Sequence, residues 1–123
     1  MPQDLKTSKF DQSVLPHWQQ QEALSLIAGN RDLFAKILKL YLVKVPELLT
    51  EFAYYLEIND QQQLKINAHN IRGISASIGA TRLTHLSKCL EENINDLTHS
   101  ECQIELQHLQ ALFDEFQKLA ENR

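Results

Sequence analysis

The sequence predicts an all-α fold: an up-and-down antiparallel four-helix bundle with additional N-terminal helices. Three observations carry that prediction. Glycine and proline are scarce, three of each in 123 residues, which suits long uninterrupted helices. Apolar residues recur at spacings of three and four along most of the chain, the period of one helical face. No segment alternates apolar and polar residues between hairpin turns, as a half-buried strand does.

Taken in order, residues 1–13 are polar and unpatterned and read as a flexible N-terminal arm, which leaves 14–123 as the helical-bundle domain. A short helix is expected over 18–28, ended by Gly29-Asn30, because glycine just past the last turn is a common stop. Asn30 can cap the next helix by accepting from a free backbone amide. Beyond it, Phe34, Ile37, Leu38, Tyr41, Val45, Leu48, Leu49, Phe52 and Leu56 form one stripe, interrupted by Pro46. Proline removes a backbone donor and crowds the preceding turn, so a kink or a division into two helices is expected there. Asp60 with Gln63 has capping-box spacing, and Thr98 with Glu101 marks another start. Thr81 is expected to cap a helix striped by Leu83, Leu86, Leu90, Ile94 and Leu97, and the last helix carries Ile104, Leu106, Leu109, Phe113, Phe116 and Leu119. Bundle helices starting near Pro46, Asp60, Thr81 and Thr98, joined by short loops, pack as antiparallel neighbours. The two earlier helices pack alongside.

The length fits one domain with a real core. Apolar content of 43% and charged content of 23% belong to a globular chain. A formal charge of −4 and a pI near 5.7, with no run of Lys and Arg, argue against sequence-independent nucleic-acid binding. Cys89 and Cys102 sit inside helical patterns and read as small, partly buried thiols rather than a disulfide. The longest apolar run, 37–43, is broken by Lys39 and is too short to span a bilayer. The first residues lack the apolar core of a signal peptide. A cytoplasmic location is expected.

The stretch N-A-H-N-I-R-G-I-S-A-S-I-G-A, 67–80, organises the rest. At about 100° per residue, Leu64, Ile71, Ile74 and Ile78 fall roughly opposite His69. Around His69 stand Gln62, Lys65, Ile66, Arg72, Gly73 and Ala76. The imidazole is therefore the outward centre of a polar, partly basic strip. Lys65 and Arg72 flank it at −4 and +3, where they can neutralise a phosphate placed on the ring and keep the imidazole neutral and nucleophilic. Gly73, one turn along, costs about 1 kcal/mol of helix stability relative to alanine. A bare patch that lets another protein's backbone approach would account for it.

Other candidates carry less. Asn67 falls on the core side and needs a hydrogen-bond partner. His85 and Cys89, four apart, supply at most two corners of a metal site, so no metal is expected. His17, His99 and His108 are given no role. No local set supplies a nucleophile, a base and an orienting acid, or a phosphate-cradling glycine loop.

The segment H-N-I-R-G, with G-A ten and eleven residues beyond the histidine, resembles the signature of histidine-containing phosphotransfer (HPt) domains, roughly A-H-x-L-K-G-x-x-x-x-x-G-A. Ala68, His69, Gly73, Gly79 and Ala80 match it, with Ile71 and Arg72 as conservative replacements for leucine and lysine. Arginine's planar fork reads phosphate oxygens differently from an ammonium, and Asn67 stands where the family tends to place a small residue. L-S-K-C-L-E-E, 86–92, resembles the family's following segment, and Glu91, twenty-two residues past the histidine, holds a position where Gln or Glu often lies near the ring. Upstream, A-G-N-R-D-L-F-A-K-I-L-K-L-Y with P-E-L-L resembles the family's first half, so the resemblance spans about 18–119.

The resemblance implies a phosphocarrier without kinase activity, cycling a phosphoryl group between aspartates of receiver domains through His69. Lys65, Arg72 and Glu91 would support the reaction, and Gly73, Gln62, Ile66 and Ala76 would meet the partner. No cofactor is implied in this chain, since Mg²⁺ would come from the receiver domain. The implied partners are receiver domains of a hybrid sensor kinase or a response regulator, with no nucleic acid, no membrane and a monomeric state. Two other readings stand beside it: the dimerisation helix of a histidine kinase, which H-N-I-R superficially resembles, and a non-catalytic helical adaptor.

Overall fold

Side-chain caps set most of the helix starts in the computed structural model, which describes residues 8–122; the expected arm falls outside that range over 1–7. Helix α1 covers Gln20–Ser25, shorter than the expected 18–28. Trp18 stays outside it, its ring stacked on Phe34 at 6.3 Å and edge-on to Phe116 at 5.0 Å. Asn30 opens α2, Arg31–Glu57, by accepting from the Leu33 amide as expected.

Pro46 does not divide α2, which corrects the expected start of a bundle helix there. The helix runs unbroken through it. Pro46 sits on the exposed face, where the carbonyl of Leu42, deprived of its usual N–H partner, can turn to solvent. Burial of the stripe on both sides of the proline, from Phe34 to Leu56, outweighs that one lost bond. Among the described residues, α1 alone remains as an additional N-terminal helix.

Asp60 opens α3, Gln61–Ile78, by accepting from the Gln63 amide. Asn59, in left-handed conformation at φ 57°, makes the preceding turn. Gly79 ends α3 with φ 80°, a conformation natural to glycine after a last helical turn. The cap of α4, Thr81–Asn93, is a second correction. Ala80 is its N-cap with no side-chain bond, and the Thr81 hydroxyl instead faces Gln19 Oε1 at 3.0 Å and the Gly79 carbonyl at 3.2 Å. A 3₁₀ turn, Ile94–Asp96, leads to α5, His99–Glu121, whose start is a complete Thr98–Glu101 capping box.

Helices α2 to α5 form the bundle, each packed on its chain neighbours and α5 closing against α2, while α1 packs on α3. No strand occurs among the described residues. The core holds Phe52, Ile71, Ile78, Leu86, Leu90 and Leu109, all 0% exposed. A buried hydroxyl pair, Tyr41 and Ser75 at 2.8 Å, joins α2 to α3. Burial pushes the Tyr41 phenol well above its ordinary range, against the effect of the Ser75 hydrogen bond. On α5 the stripe shifts from expectation: Leu119 is 44% exposed, whereas Cys102, Glu105, Leu112 and Ala120 are buried.

Residues 8–13 of the expected arm lie against the bundle, with the Ser8 hydroxyl 2.6 Å and the Lys9 amide 2.9 Å from the Glu105 carboxylate. No described helix is long and apolar enough to cross a membrane.

Candidate functional site

The amphipathic pattern of α3 turns Leu64, Ala68, Ile71 and Ile78 into the core and leaves His69 on the far side, its side chain 65% exposed. Its ring is not free to spin. Nδ1 lies 2.8 Å from Oε2 of Glu91 on α4, and the other oxygen, Oε1, accepts from Arg72 Nη1 at 3.0 Å. Glu91 therefore bridges two residues of α3 that stand almost one turn apart.

This bridge fixes the chemistry of the ring. The Glu91 side chain is 18% exposed, and that partial burial pushes its carboxyl up, but hydrogen bonds from Arg72 and His69 outweigh it and hold the group below its ordinary value. An ionised carboxylate only accepts, so Nδ1 must donate. The lone pair then sits on Nε2, at the outward end of the ring. What the site presents is a largely exposed imidazole, held in one orientation through Nδ1.

Lys65, one turn earlier, is exposed. Gly73 is exposed, and a Cβ built on it would meet nothing within 4 Å. Packing therefore does not require this glycine. Gln62, Ile66 and Ala76 are exposed on the same side of α3, Ile66 to 45%.

Sequence reasoning overlooked the neighbouring face of α2. Ile37, Leu40 and Lys44 join Ile74 and Ser77 of α3 around a shallow depression of about 180 Å³, and Leu40 is 70% exposed. The signal was present, since Leu40 and Val43 are apolar yet fall off the buried stripe of α2.

Asn67, left without a partner from sequence, is 2% exposed and donates from Nδ2 to the Leu48 carbonyl of α2 at 2.9 Å. Its Oδ1 meets no donor among the described residues. The bond ties the helix that carries His69 to α2. At the far end of α3, the Trp18 indole donates to the Ile78 carbonyl at 2.8 Å, and the Gln19 amide donates to the Gly79 carbonyl at 2.8 Å. The position of His69 is thus set by contacts along the whole length of α3.

His85 Nε2 comes within 3.6 Å of Cys89 Sγ, and no group of three or more His, Cys, Asp or Glu placed to hold a metal occurs among the described residues. Both cysteines are free thiols. His17 faces Arg82 and Glu115, on α4 and α5.

A family model described as "Hpt domain" matches residues 36–119, from within α2 almost to the end of α5, so that α1 and the preceding segment lie outside the match. No curated protein and no solved structure matches the chain.

Proposed function

The chain belongs to the Hpt domain family, whose members are phosphocarriers of two-component signalling, and on that premise we propose that it relays a phosphoryl group between aspartates of receiver domains through phosphohistidine at His69. The observation that carries the reading is the Arg72–Glu91–His69 bridge, which leaves one imidazole nitrogen, Nε2, oriented outward with its lone pair.

In the forward step the Nε2 lone pair attacks phosphorus of a receiver aspartyl phosphate in line with the departing carboxylate oxygen. The Nε2–P bond forms as the P–O bond breaks, and the aspartate leaves as its carboxylate. The proton on Nδ1 stays with the ring, and the positive charge that develops on the imidazole is balanced by Glu91. In the return step the carboxylate of a second receiver attacks phosphorus and the electron pair goes back to Nε2. Mg²⁺, supplied with the receiver, would neutralise charge on the moving group. This chain contributes orientation by Glu91, positive charge from Lys65, and a bare approach over Gly73 flanked by Gln62, Ile66, Ala76 and the Ile37–Leu40 face of α2. Arg72 is committed to Glu91, so its part is shared between holding that carboxylate and attracting phosphate. The protein acts as a monomer in the cytoplasm, binds neither nucleic acid nor membrane, and has no kinase activity of its own.

The test is transfer to the purified chain from a phosphorylated receiver domain, with ATP alone as the control that a kinase helix would pass and this chain fails. Lys65→Ala slows transfer by about two- to fivefold, the scale of an exposed charge pair, and added salt erases the difference. Arg72→Ala slows it by about tenfold, the scale of a charge-assisted hydrogen bond, and salt changes that little because Glu91 is partly buried. Equal rates for both variants and wild type at low salt would contradict these roles, and no transfer from any receiver would favour the adaptor.

A further inference from the structure

Away from α3, one arginine holds the segment that precedes α1. Every terminal group of Arg82, near the start of α4, is spent on residues 13–17: Nε donates to the Leu15 carbonyl at 2.7 Å, Nη2 to the Ser13 carbonyl at 3.2 Å, and Nη1 meets His17 Nε2 at 2.8 Å. Further back, this same segment supplies the Ser8 hydroxyl and the Lys9 amide to Glu105, a carboxylate only 1% exposed. On α5 the Lys9 ammonium also pairs with Glu101, so the segment is clasped by Arg82 on α4 and by Glu105 and Glu101 on α5.

His17 Nε2 sits in a contradictory place. The guanidinium of Arg82 can only donate, so at 2.8 Å it requires Nε2 to accept, with the proton on Nδ1. Glu115 Oε1 of α5 stands 3.0 Å from the same nitrogen, and a carboxylate requires Nε2 to donate. The two partners demand opposite protonation states of one atom. Asp11 and His108 line a cleft with Arg82 and Glu115, and the charge of His85 of α4 acts on Asp11.

We propose that His17 is the proton-operated latch of this clasp. Neutral, it accepts from Arg82 and the clasp is closed; protonated, it stays on α5 by donating to Glu115, repels the guanidinium, and releases the rest of the segment, residues 8–16, from Arg82, Glu101 and Glu105. Protonation breaks the Nη1–H···Nε2 bond and makes an Nε2–H···Oε1 bond. The incoming proton comes from solvent.

The sign of the pH dependence follows. Burial, then the charge of Arg82, hold the imidazole below its ordinary value of 6.5, against a smaller opposing pull from Glu115. A group depressed in the closed state binds fewer protons there than when released. Closure is therefore complete above about pH 6.5 and is lost as the pH falls through the lower value of the closed state. The latch is independent of the phosphotransfer reading, since none of its groups belongs to α3.

The test follows amide hydrogen exchange at Lys9, whose N–H ends on Glu105, together with the His17 ring resonances in the full chain from about pH 8 to about pH 5. The protection factor should be flat above about 6.5 and then fall, by no more than about tenfold per pH unit, the limit for one proton. His17→Gln, whose amide oxygen can accept from Arg82 but takes no proton, should keep Lys9 protected throughout. Glu115→Gln, at a side chain 55% exposed, should move the fall to lower pH by removing the acceptor of the protonated ring. Protection that stays flat in wild type while His17 titrates would overturn the latch, as would an identical fall in His17→Gln. Should His17→Gln fail to fold, an unmoved midpoint in Glu115→Gln overturns it equally.

Discussion

Gly73→Glu leaves a folded, helical chain whose phosphotransfer falls by at least about thirtyfold, the equivalent of roughly 2 kcal/mol lost at the centre of an interface. Two properties of position 73 move in opposite directions. For the fold it is an open helix site, since a Cβ there meets nothing within 4 Å. Gly73→Ala should therefore stabilise the chain by up to about 1 kcal/mol through helix propensity. In the proposed reaction it is the bare ground one turn from His69, where a long acidic side chain would both obstruct the partner and repel its phosphate. The measurement is a melting curve beside a receiver-to-chain transfer rate for each variant. If Gly73→Glu transfers normally, docking takes place elsewhere; if it unfolds, the open-site reading is wrong.

Gly79→Ala has the larger effect on stability, destabilising the fold by about 2–4 kcal/mol. The residue holds φ +80°, which costs an L-residue about 1–2 kcal/mol. Its absent Cβ would stand 2.5 Å from the Gln19 carbonyl oxygen and 3.1 Å from the Ala23 Cβ. The nearer of these is backbone, fixed by the Gln19 N–H bond to Gly79 itself, so relief requires the segment before α1 to shift, and strain at such sites accounts for the large end of mutational effects. Urea unfolding of the two alanine variants separates the glycines sharply: position 79 lowers the midpoint and position 73 does not. A neutral Gly79→Ala would mean that the crossing of α1 over α3 is loose.

The contrast shows what the sequence could and could not disclose. Both glycines stand in one motif, yet a side chain at position 73 would meet nothing, whereas one at position 79 would collide with a backbone sixty residues away in the chain. Local signals were legible: Asn30, Asp60 and Thr98 cap where their spacing placed them, because a cap depends on three or four consecutive residues. Thr81 could not be read the same way, because its hydroxyl has a rival in Gln19, brought there only by the tertiary fold. Pro46 misled for a related reason. Its cost is local, whereas the burial that keeps α2 whole is distributed over the helix. Glu105 was invisible as a core position because the groups that satisfy it come from Ser8 and Lys9.

At the site, periodicity alone placed His69 outward, as the structure has it. The link between Arg72 and Glu91 was not legible, since the two residues lie on different helices and only their packing decides that they meet at 3.0 Å. Arg72, expected beside the imidazole to meet phosphate, spends one nitrogen on the Glu91 carboxylate, which also meets the ring. No spacing rule distinguishes those two uses of one guanidinium.

The proposed relay passes through His69, and the direct measurement is the position of the phosphoryl group after incubation with a phosphorylated receiver domain. The label should be acid-labile and base-stable, should reside on residue 69, and should sit on Nε2, since Nδ1 is held by Glu91. His69→Gln should abolish it with little change in melting temperature, the side chain being 65% exposed. Label on Nδ1 would contradict the orientation assigned to Glu91, and label persisting in His69→Gln, at His85 for instance, would contradict the account at its centre.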